Sequence, residues 1–165
     1  PTIYNDDEVP GTPMFHNRTG EGKGFCTIGY GTLIHRSPCD KKAYGSIEKP
    51  YEDGIDEKVA TQLLMDDIRI RENIIRETIK VKLTQTQFDA LVSLLYNWNE
   101  AYYYQSPKIP LLNSGQYVAT ANHMREEGPF QSGGKDVPAL HRRRAQEAAM
   151  FLELVDIPSI PYSCP

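Results

Sequence analysis

The sequence lacks two features that would place it in large functional classes: a long apolar run and an excess of basic residues. Nowhere do about 20 consecutive apolar residues occur, the length that a membrane-spanning helix needs. The formal net charge is −4, whereas domains that bind nucleic acids are usually basic. We therefore predict neither membrane insertion nor nucleic-acid binding.

Cysteine is also scarce, with only Cys26, Cys39 and Cys164. An odd number excludes a framework in which every cysteine pairs within the chain. Cys26 and Cys39 bracket a short loop, and we expect them to form a disulfide in an oxidising compartment. A zinc site that combines them with His16 and His35 is disfavoured, because the two cysteines lack the close spacing of zinc motifs. The sequence predicts no metal and no cofactor.

What is present fits one globular domain of 165 residues with 39% apolar residues. The chain opens on Pro1 without a secretory signal, so we expect a domain excised from a longer protein. Glycine and proline are concentrated in the first third and in the last stretch, which predicts loops there. The expected parts are a β-rich lobe over about 12–55, a helical lobe over about 56–155 and a Pro-rich tail over 156–165.

Hydrophobic patterning predicts the elements of each lobe. Loose alternation over residues 25–35 favours a small antiparallel sheet. Asp56 is a plausible N-cap for a long helix over 57–79, and Thr84 with Gln87 forms a capping box for a second, largely buried helix. The patterning also predicts helices over 109–113, 116–125 and 138–154. It predicts a loop or short turn over 102–104 and a flexible loop over 128–134. Segregated strands and helices predict an α+β fold, with a ligand cleft between the lobes.

Three segments together resemble a known family. They are Cys-Thr-Ile-Gly-Tyr-Gly-Thr-Leu-Ile-His at 26–35, Gln-Phe-Asp-Ala-Leu-Val-Ser-Leu-Leu-Tyr-Asn at 87–97, and Leu140 followed by Arg-Arg-Ala-Gln-Glu at 143–147. Their order and spacing resemble the phage lysozymes, glycoside hydrolase family 24, over about residues 5–155. The resemblance implies a lysozyme-like fold, in which a long helix joins a small β lobe to a helical lobe. It also implies hydrolysis of the β-1,4 bond between N-acetylmuramic acid and N-acetylglucosamine in peptidoglycan.

The resemblance carries a catalytic pattern onto this chain with one departure. Glu8 matches the general acid, which must be protonated beside the leaving oxygen. Thr27 matches the threonine that holds the attacking water. The second carboxylate is displaced: counting back from Thr27 gives Glu21, which we prefer as the base, whereas counting forward from Glu8 gives Asn17, whose amide can only orient a water. His16 is a further candidate because the unperturbed pKa of a histidine side chain is near neutrality.

Supporting residues follow from the same resemblance. Arg143 matches a buried arginine of the last helix that positions the catalytic glutamate, with Arg142 as the alternative. The residues expected to shape the cleft lie in the first two matching segments and are Gly29, Tyr30, Gly31, Thr32 and Asn97.

Two other functions stay open at this point. A lytic transglycosylase would need no attacking water, and an inactive wall-binding module would need no base at all. The expected substrate is the peptidoglycan glycan strand, met in the periplasm or outside the cell by a monomer. Relatives include phage endolysins and lysozyme domains of secreted antibacterial effectors, and an effector would imply an immunity or inhibitor protein as a partner.

Overall fold

The computed structural model describes residues 4–5, 25–36, 45–132 and 135–153. The chain divides into two compact units, Pro1–Arg69 and Ile70–Pro165, which we call the first and the second unit. The division lies inside the first long helix. No helix in the described ranges is both long and apolar enough to cross a bilayer.

The first unit contains a three-stranded antiparallel sheet. Its strands are β1 (Tyr4–Asn5), β2 (Cys26–Ile28) and β3 (Thr32–His35), in that spatial order. All of β2 is buried, and the turn between β2 and β3 closes with a hydrogen bond from the amide of Gly31 to the carbonyl of Ile28 at 3.3 Å. The small antiparallel sheet predicted over residues 25–35 is confirmed.

A small apolar cluster lies beneath this sheet. Cys26 and Ile28 are fully buried, and they are packed by partly buried Ile34, Tyr51, Ile55 and Leu63. Tyr51 closes a short 3-10 turn, Lys49–Tyr51. The core of the first unit, as far as the described residues show, therefore depends on only a few side chains.

The helix α1 (Glu57–Thr78) begins as the sequence predicted and ends within one residue of the predicted end. The carboxylate of Asp56 accepts a hydrogen bond from the amide of Val59 at 2.7 Å, which satisfies one of the free donors of the first turn. The predicted cap is confirmed.

Five further helices lie in the described part of the second unit. They are α2 (Gln85–Tyr96), α3 (Glu100–Tyr104), α4 (Lys108–Asn113), α5 (Tyr117–Glu127) and α6 (Pro138–Phe151). The capping box of Thr84 and Gln87 is present, and α2 buries one face against α6, which in turn packs on α5. The core unites apolar side chains from the end of α1 and all five helices, among them Ile75, Leu94, Tyr103, Leu112, Met124 and Phe151.

The prediction for residues 102–104 was wrong, and the loop predicted over 128–134 was wrong in part. Residues 102–104 belong to α3, because the side chain of Asn99 accepts from the amide of Ala101 at 2.9 Å and caps a short helix whose Tyr103 is buried. Residues 128–134 contain a strand, since β4 (Gln131–Ser132) pairs with β5 (Lys135–Asp136). Elements this short leave no periodic pattern to detect.

Candidate active site

Thr27, the predicted water-holding residue, lies buried in β2. Its side chain is 3% exposed, and its hydroxyl donates a hydrogen bond to the carbonyl oxygen of Phe25 at 3.1 Å. Since that bond uses the only hydroxyl proton, Oγ1 can serve a further group only as an acceptor. A water bound there would donate to Thr27 and keep a lone pair for attack. The catalytic role of Thr27 stays a prediction.

The turn after β2 places two glycines in the left-handed region, Gly29 at φ 63° and Gly31 at φ 110°. A Cβ added to Gly29 would also lie 3.3 Å from the Cβ of Ala60 on α1. A larger residue at position 29 would therefore crowd α1. This constraint is separate from the sugar contact that the sequence predicted for Gly29. Tyr30, between them, is 46% exposed.

Thr32 follows this turn at the start of β3. Its Oγ1 is buried and has no hydrogen-bond partner among the described residues. A buried hydroxyl without a partner is costly, at about 1–3 kcal/mol. Thr32 thus retains hydrogen-bonding capacity beside the turn, and its predicted substrate contact stays a prediction.

The remaining predicted groups of the first unit lie outside the described residues. These are Glu8 as the acid, Glu21 and Asn17 as alternatives for the second catalytic position, and His16. Their roles stay predictions.

Arg143 of α6, predicted to support the acid, takes part in a polar cluster within the second unit. Its Nε donates to Oε1 of Glu147 at 3.0 Å, and its Nη2 donates to the carbonyl oxygen and to Oγ of Ser93 at 3.3 and 3.2 Å. The side chain of Arg143 is 39% exposed, so it reaches the surface while one edge of the guanidinium is held. Arg142 is more exposed.

Arg144 is the fully buried arginine of this run. Its Nε forms an ion pair with Oε2 of Glu147 at 2.9 Å, and its Nη groups donate to Leu94 O, Asn97 Oδ1 and Glu147 Oε1 at 3.1 to 3.3 Å. Burial lowers the pKa of Arg144 to about 10, and Glu147 opposes that shift, so the guanidinium stays charged at neutral pH. Asn97, predicted to shape the cleft, is thereby tied to α6.

Sequence reasoning missed Arg144, Glu147 and Ser93 as members of one cluster. The spacing of Arg143 and Arg144 to Glu147, four and three residues, places all three on one helix face and was the available signal. The partnership with Ser93 joins α2 to α6 and has no local pattern. Ser93, Arg143 and Glu147 line part of an open groove of about 570 Å³ on the second unit.

A second buried cation lies nearby in the second unit. Lys108 is 4% exposed, and its Nζ lies 4.8 Å from the centroid of the Trp98 ring, a cation–π contact. Burial lowers the pKa of Lys108 to about 8, opposed by the charge of Glu127 and reinforced by that of Arg144. Nothing in the local sequence predicts that this lysine is buried, since lysine is almost never fully buried unless it is paired.

Cys26, His35 and Glu48 of the first unit place three candidate metal ligands within 4.8 Å of one another. Cys26, however, is disulfide-bonded and therefore offers no thiolate. His35 Nε2 and Glu48 Oε1 lie 3.1 Å apart, and the amide of Gly45 donates to the other oxygen of Glu48 at 2.8 Å. These contacts describe a structural polar cluster. A disulfide at Cys26 is confirmed; the predicted partner, Cys39, lies outside the described residues.

Comparison with known proteins decides the family. Residues 15–147 match the sequence profile of the phage lysozymes. The endolysin of Salmonella phage P22 is 30% identical over 132 residues, covering 80% of this chain and 83% of that protein. The chain belongs to the phage lysozyme family. The match begins after Glu8, so this predicted acid lies outside the segment that the profile covers.

Solved structures of related lysozymes support the same fold. The endolysin from Escherichia coli O157:H7 phage FAHEc1 aligns with a TM-score of 0.61 and 31% identity, over 81% of this chain and 80% of that one. The muramidase domain of SpmX from Asticaccaulis excentricus aligns with a TM-score of 0.56 and 26% identity, over 76% and 83%. The predicted α+β, lysozyme-like fold is confirmed.

Other lysozyme relatives are considerably longer. The endolysin of Bacillus phage B103 is 36% identical over 128 residues, which are 78% of this chain but 43% of that protein. The chain thus spans less than half the length of this relative.

Proposed function

We propose that this chain is a peptidoglycan hydrolase, a muramidase that cleaves the β-1,4 bond between N-acetylmuramic acid and N-acetylglucosamine. The observation that carries the proposal is family membership over residues 15–147, joined to the names of its relatives: the P22 protein is an endolysin and the SpmX domain is a muramidase. The substrate is the glycan strand of the cell wall.

In the proposed mechanism Glu8 protonates the leaving oxygen and Glu21 activates water on the opposite face of the sugar. Thr27 accepts a hydrogen bond from that water, which fits the engaged proton of its hydroxyl. Asn17 is the alternative to Glu21, and His16 is a further candidate. The turn residues Gly29, Tyr30, Gly31 and Thr32, with Asn97, contact or shape the bound strand.

Arg143 supports Glu8 in this proposal. A cation close to a carboxyl group favours the charged form and lowers its pKa, which opposes the acid role. Desolvation of Glu8 must therefore exceed the effect of Arg143 for the acid to be protonated when substrate binds.

The decisive experiment digests purified peptidoglycan and identifies the products by mass spectrometry. Hydrolysis predicts muramic acid with a free reducing end, whereas anhydro-muramic products would show a lytic transglycosylase instead. We expect Glu8→Gln to reduce the rate of cleavage by at least about 100-fold, since general acid catalysis contributes 10²–10⁴-fold to the rate. The control Asp6→Asn removes one carboxylate from the same segment and should retain activity. If the unmodified chain binds peptidoglycan but does not cleave it, the chain is a wall-binding module.

The second catalytic position is resolved by a matched pair. If Glu21 is the base, Glu21→Gln loses most activity and Asn17→Ala retains it. If Asn17 orients the water, the order is reversed.

The setting of this activity is a finer proposal. We infer that a monomer acts on the wall from the periplasm or from outside the cell, delivered by a phage lysis or secretion route. Delivery as an antibacterial effector would require an immunity or inhibitor protein. Protection of sensitive cells by a protein encoded beside this chain would support that route, and lysis regardless of such a protein would contradict it.

A further inference from the structure

Three polar side chains of the first unit meet beside the hairpin. The Sγ of Cys26 and the Nε2 of His35 lie 3.6 and 3.1 Å from one carboxylate oxygen, Oε1 of Glu48. The three ligand atoms all lie within 4.8 Å of one another. Cys26 is fully buried and Glu48 is 4% exposed, whereas 23% of the His35 side chain is exposed. A sulfur, a nitrogen and an oxygen thus converge in a buried place that solvent reaches from the side of His35.

The local structure fixes these side chains. Cys26 begins β2 and His35 ends β3, and the two residues pair across the sheet. The amide of Gly45 donates to Oε2 of Glu48 at 2.8 Å, and the amide of Glu48 donates to the carbonyl of Gly45 at 3.0 Å. The backbone therefore holds one oxygen of the carboxylate and directs the other at Cys26 and His35. Carboxylates that bind metals are commonly held in this way by a second hydrogen bond.

The distances match those that tetrahedral Zn²⁺ imposes on its ligands. Zn–N and Zn–O bonds of about 2.0–2.2 Å and Zn–S bonds of about 2.3 Å place the ligand atoms about 3.3–3.7 Å apart. The two distances to Oε1 of Glu48, 3.1 and 3.6 Å, agree with that range to within a few tenths of an ångström. The partly exposed ring of His35 can turn to adjust its distance from Cys26. One cation can therefore contact all three atoms without a change in the backbone.

The disulfide at Cys26 determines when this set of ligands is complete. Only a thiolate is a metal ligand, and the disulfide sulfur carries no charge. A dithiol that reduces the bond supplies two electrons and two protons, becomes a disulfide itself, and leaves one thiol at Cys26 and one at its partner. When Zn²⁺ binds, the thiol of Cys26 releases its proton to solvent. The dication then balances the thiolate and the carboxylate of Glu48.

We propose that Cys26, His35 and Glu48 form a Zn²⁺ site when the disulfide at Cys26 is reduced. Mixed sulfur, nitrogen and oxygen ligands suit Zn²⁺, whereas Mg²⁺ and Ca²⁺ prefer oxygen ligands alone. The site differs from the one that the sequence disfavours, because Glu48 takes the place of Cys39 and His16. The metal joins β2, β3 and the turn that ends at Glu48, where the apolar cluster is small, and so replaces the cross-link that reduction removes. Metal binding here does not depend on peptidoglycan cleavage.

The first experiment uses Co²⁺ as a spectroscopic substitute for Zn²⁺ in the full chain. In the double variant Cys39→Ser, Cys164→Ser, Cys26 is the only cysteine, so that no disulfide forms within the chain and no other thiol competes for the metal. Under anaerobic conditions we expect a sulfur-to-cobalt charge-transfer band and the visible absorption of tetrahedral Co²⁺, both lost when Zn²⁺ is added. Co²⁺ binding by the double variant without the charge-transfer band would overturn the site.

The unmodified chain tests the dependence on reduction. It should show the two absorptions only after treatment with a dithiol that is removed before Co²⁺ is added. The same absorptions in the oxidised chain would show that the disulfide does not control the site, and would overturn the proposal in that form.

The second experiment removes the other two ligands in the double variant. His35→Gln and Glu48→Gln should each weaken Zn²⁺ binding by at least about 100-fold, since loss of a group that merely supports a ligand already costs about 10–100-fold. His141→Gln is the matched control, because His141 pairs with Asp136 in the second unit and should not affect the site. Competition with a chromogenic chelator measures each affinity, and excess Mg²⁺ should displace no metal.

Thermal unfolding supplies a readout that needs no absorption band. Zn²⁺ should raise the Tm of the double variant in proportion to the logarithm of its concentration, because a ligand that binds the folded chain stabilises it. The oxidised, unmodified chain should not respond. Unchanged Zn²⁺ affinity in His35→Gln and Glu48→Gln would overturn the site, whatever the result of the peptidoglycan digestion. If circular dichroism shows that Glu48→Gln does not fold, the variant at the partly exposed His35 decides by itself.

Discussion

The hairpin region of the first unit and the helices of the second unit both contain buried polar groups. The apolar core around those groups differs greatly in size between the two regions. In the hairpin region, a disulfide and the His35–Glu48 pair accompany an apolar cluster of a few side chains. In the second unit, a core drawn from α1 to α6 surrounds Arg144 and Lys108. A large core can offset the cost of a buried cation, whereas a small one depends on cross-links and paired charges.

The largest expected effect is on the helical core. Leu94→Ala removes a side chain that is 1% exposed, and we expect the free energy of unfolding to fall by about 3 kcal/mol. Leu33→Ala in the hairpin, where the side chain is 42% exposed, should cost less than about 1 kcal/mol. Urea unfolding of both variants measures the difference. Equal losses would contradict the contrast in packing.

Reducing the disulfide at Cys26 should come next. Reduction by a dithiol should lower the free energy of unfolding by about 3 kcal/mol, because the cross-link then no longer restricts the unfolded chain. Amide hydrogen exchange should accelerate in β2 and β3, with little change in α2. Equal acceleration in both regions would show that the disulfide supports the whole chain and not the hairpin region alone.

Lys108 tests the tolerance of the helical core for charge. Because its pKa in the folded chain is about 8 and that in the unfolded chain is near 10.5, the unfolded state binds more protons between these values. Stability should therefore rise as the pH increases through that window. Lys108→Met should stabilise the chain at pH 7 by about 2 kcal/mol, because the desolvation cost disappears. In this variant, thermal unfolding should show a smaller increase in stability with pH. An increase as large as that of the unmodified chain would exclude Lys108 as its source.

The smallest effect separates backbone conformation from packing. Gly29→Ala forces an alanine to φ 63° and brings its Cβ within 3.3 Å of Ala60, whereas Gly115→Ala meets a similar φ of 79° with nothing within 4 Å. We expect each substitution to lower the free energy of unfolding by about 1 kcal/mol, because alanine must adopt a left-handed backbone conformation. Gly29→Ala should lower it further, because its Cβ crowds Ala60. Chemical unfolding compares them, and identical losses would mean that α1 yields to the extra methyl group.

Local patterns predicted most of the fold because they act over a few residues. The caps at Asp56 and Thr84, the long helix and the hairpin at residues 25–35 each follow from neighbours along the chain. The helix α3 and the β4–β5 pair escaped prediction because each is shorter than the period that would reveal it.

The candidate site was predictable only in part. The segment at 26–35 and the arginines of α6 were found because they resemble a family, and the structure shows the surroundings of Thr27 and Arg143. The pairing of Arg143 with Ser93 joins positions 50 residues apart, so nothing in the local sequence identifies it. The roles of Glu8, Glu21, Asn17 and His16 remain predictions for mutagenesis.

The sequence by itself determined the α+β class, the family and the residue types available for acid–base chemistry. Only the tertiary structure decided which arginine is buried, which carboxylate neutralises it and that Lys108 lies against Trp98. The physical reason is that helix and strand patterns depend on near neighbours, whereas the burial and pairing of a charge depend on side chains that only the fold brings together.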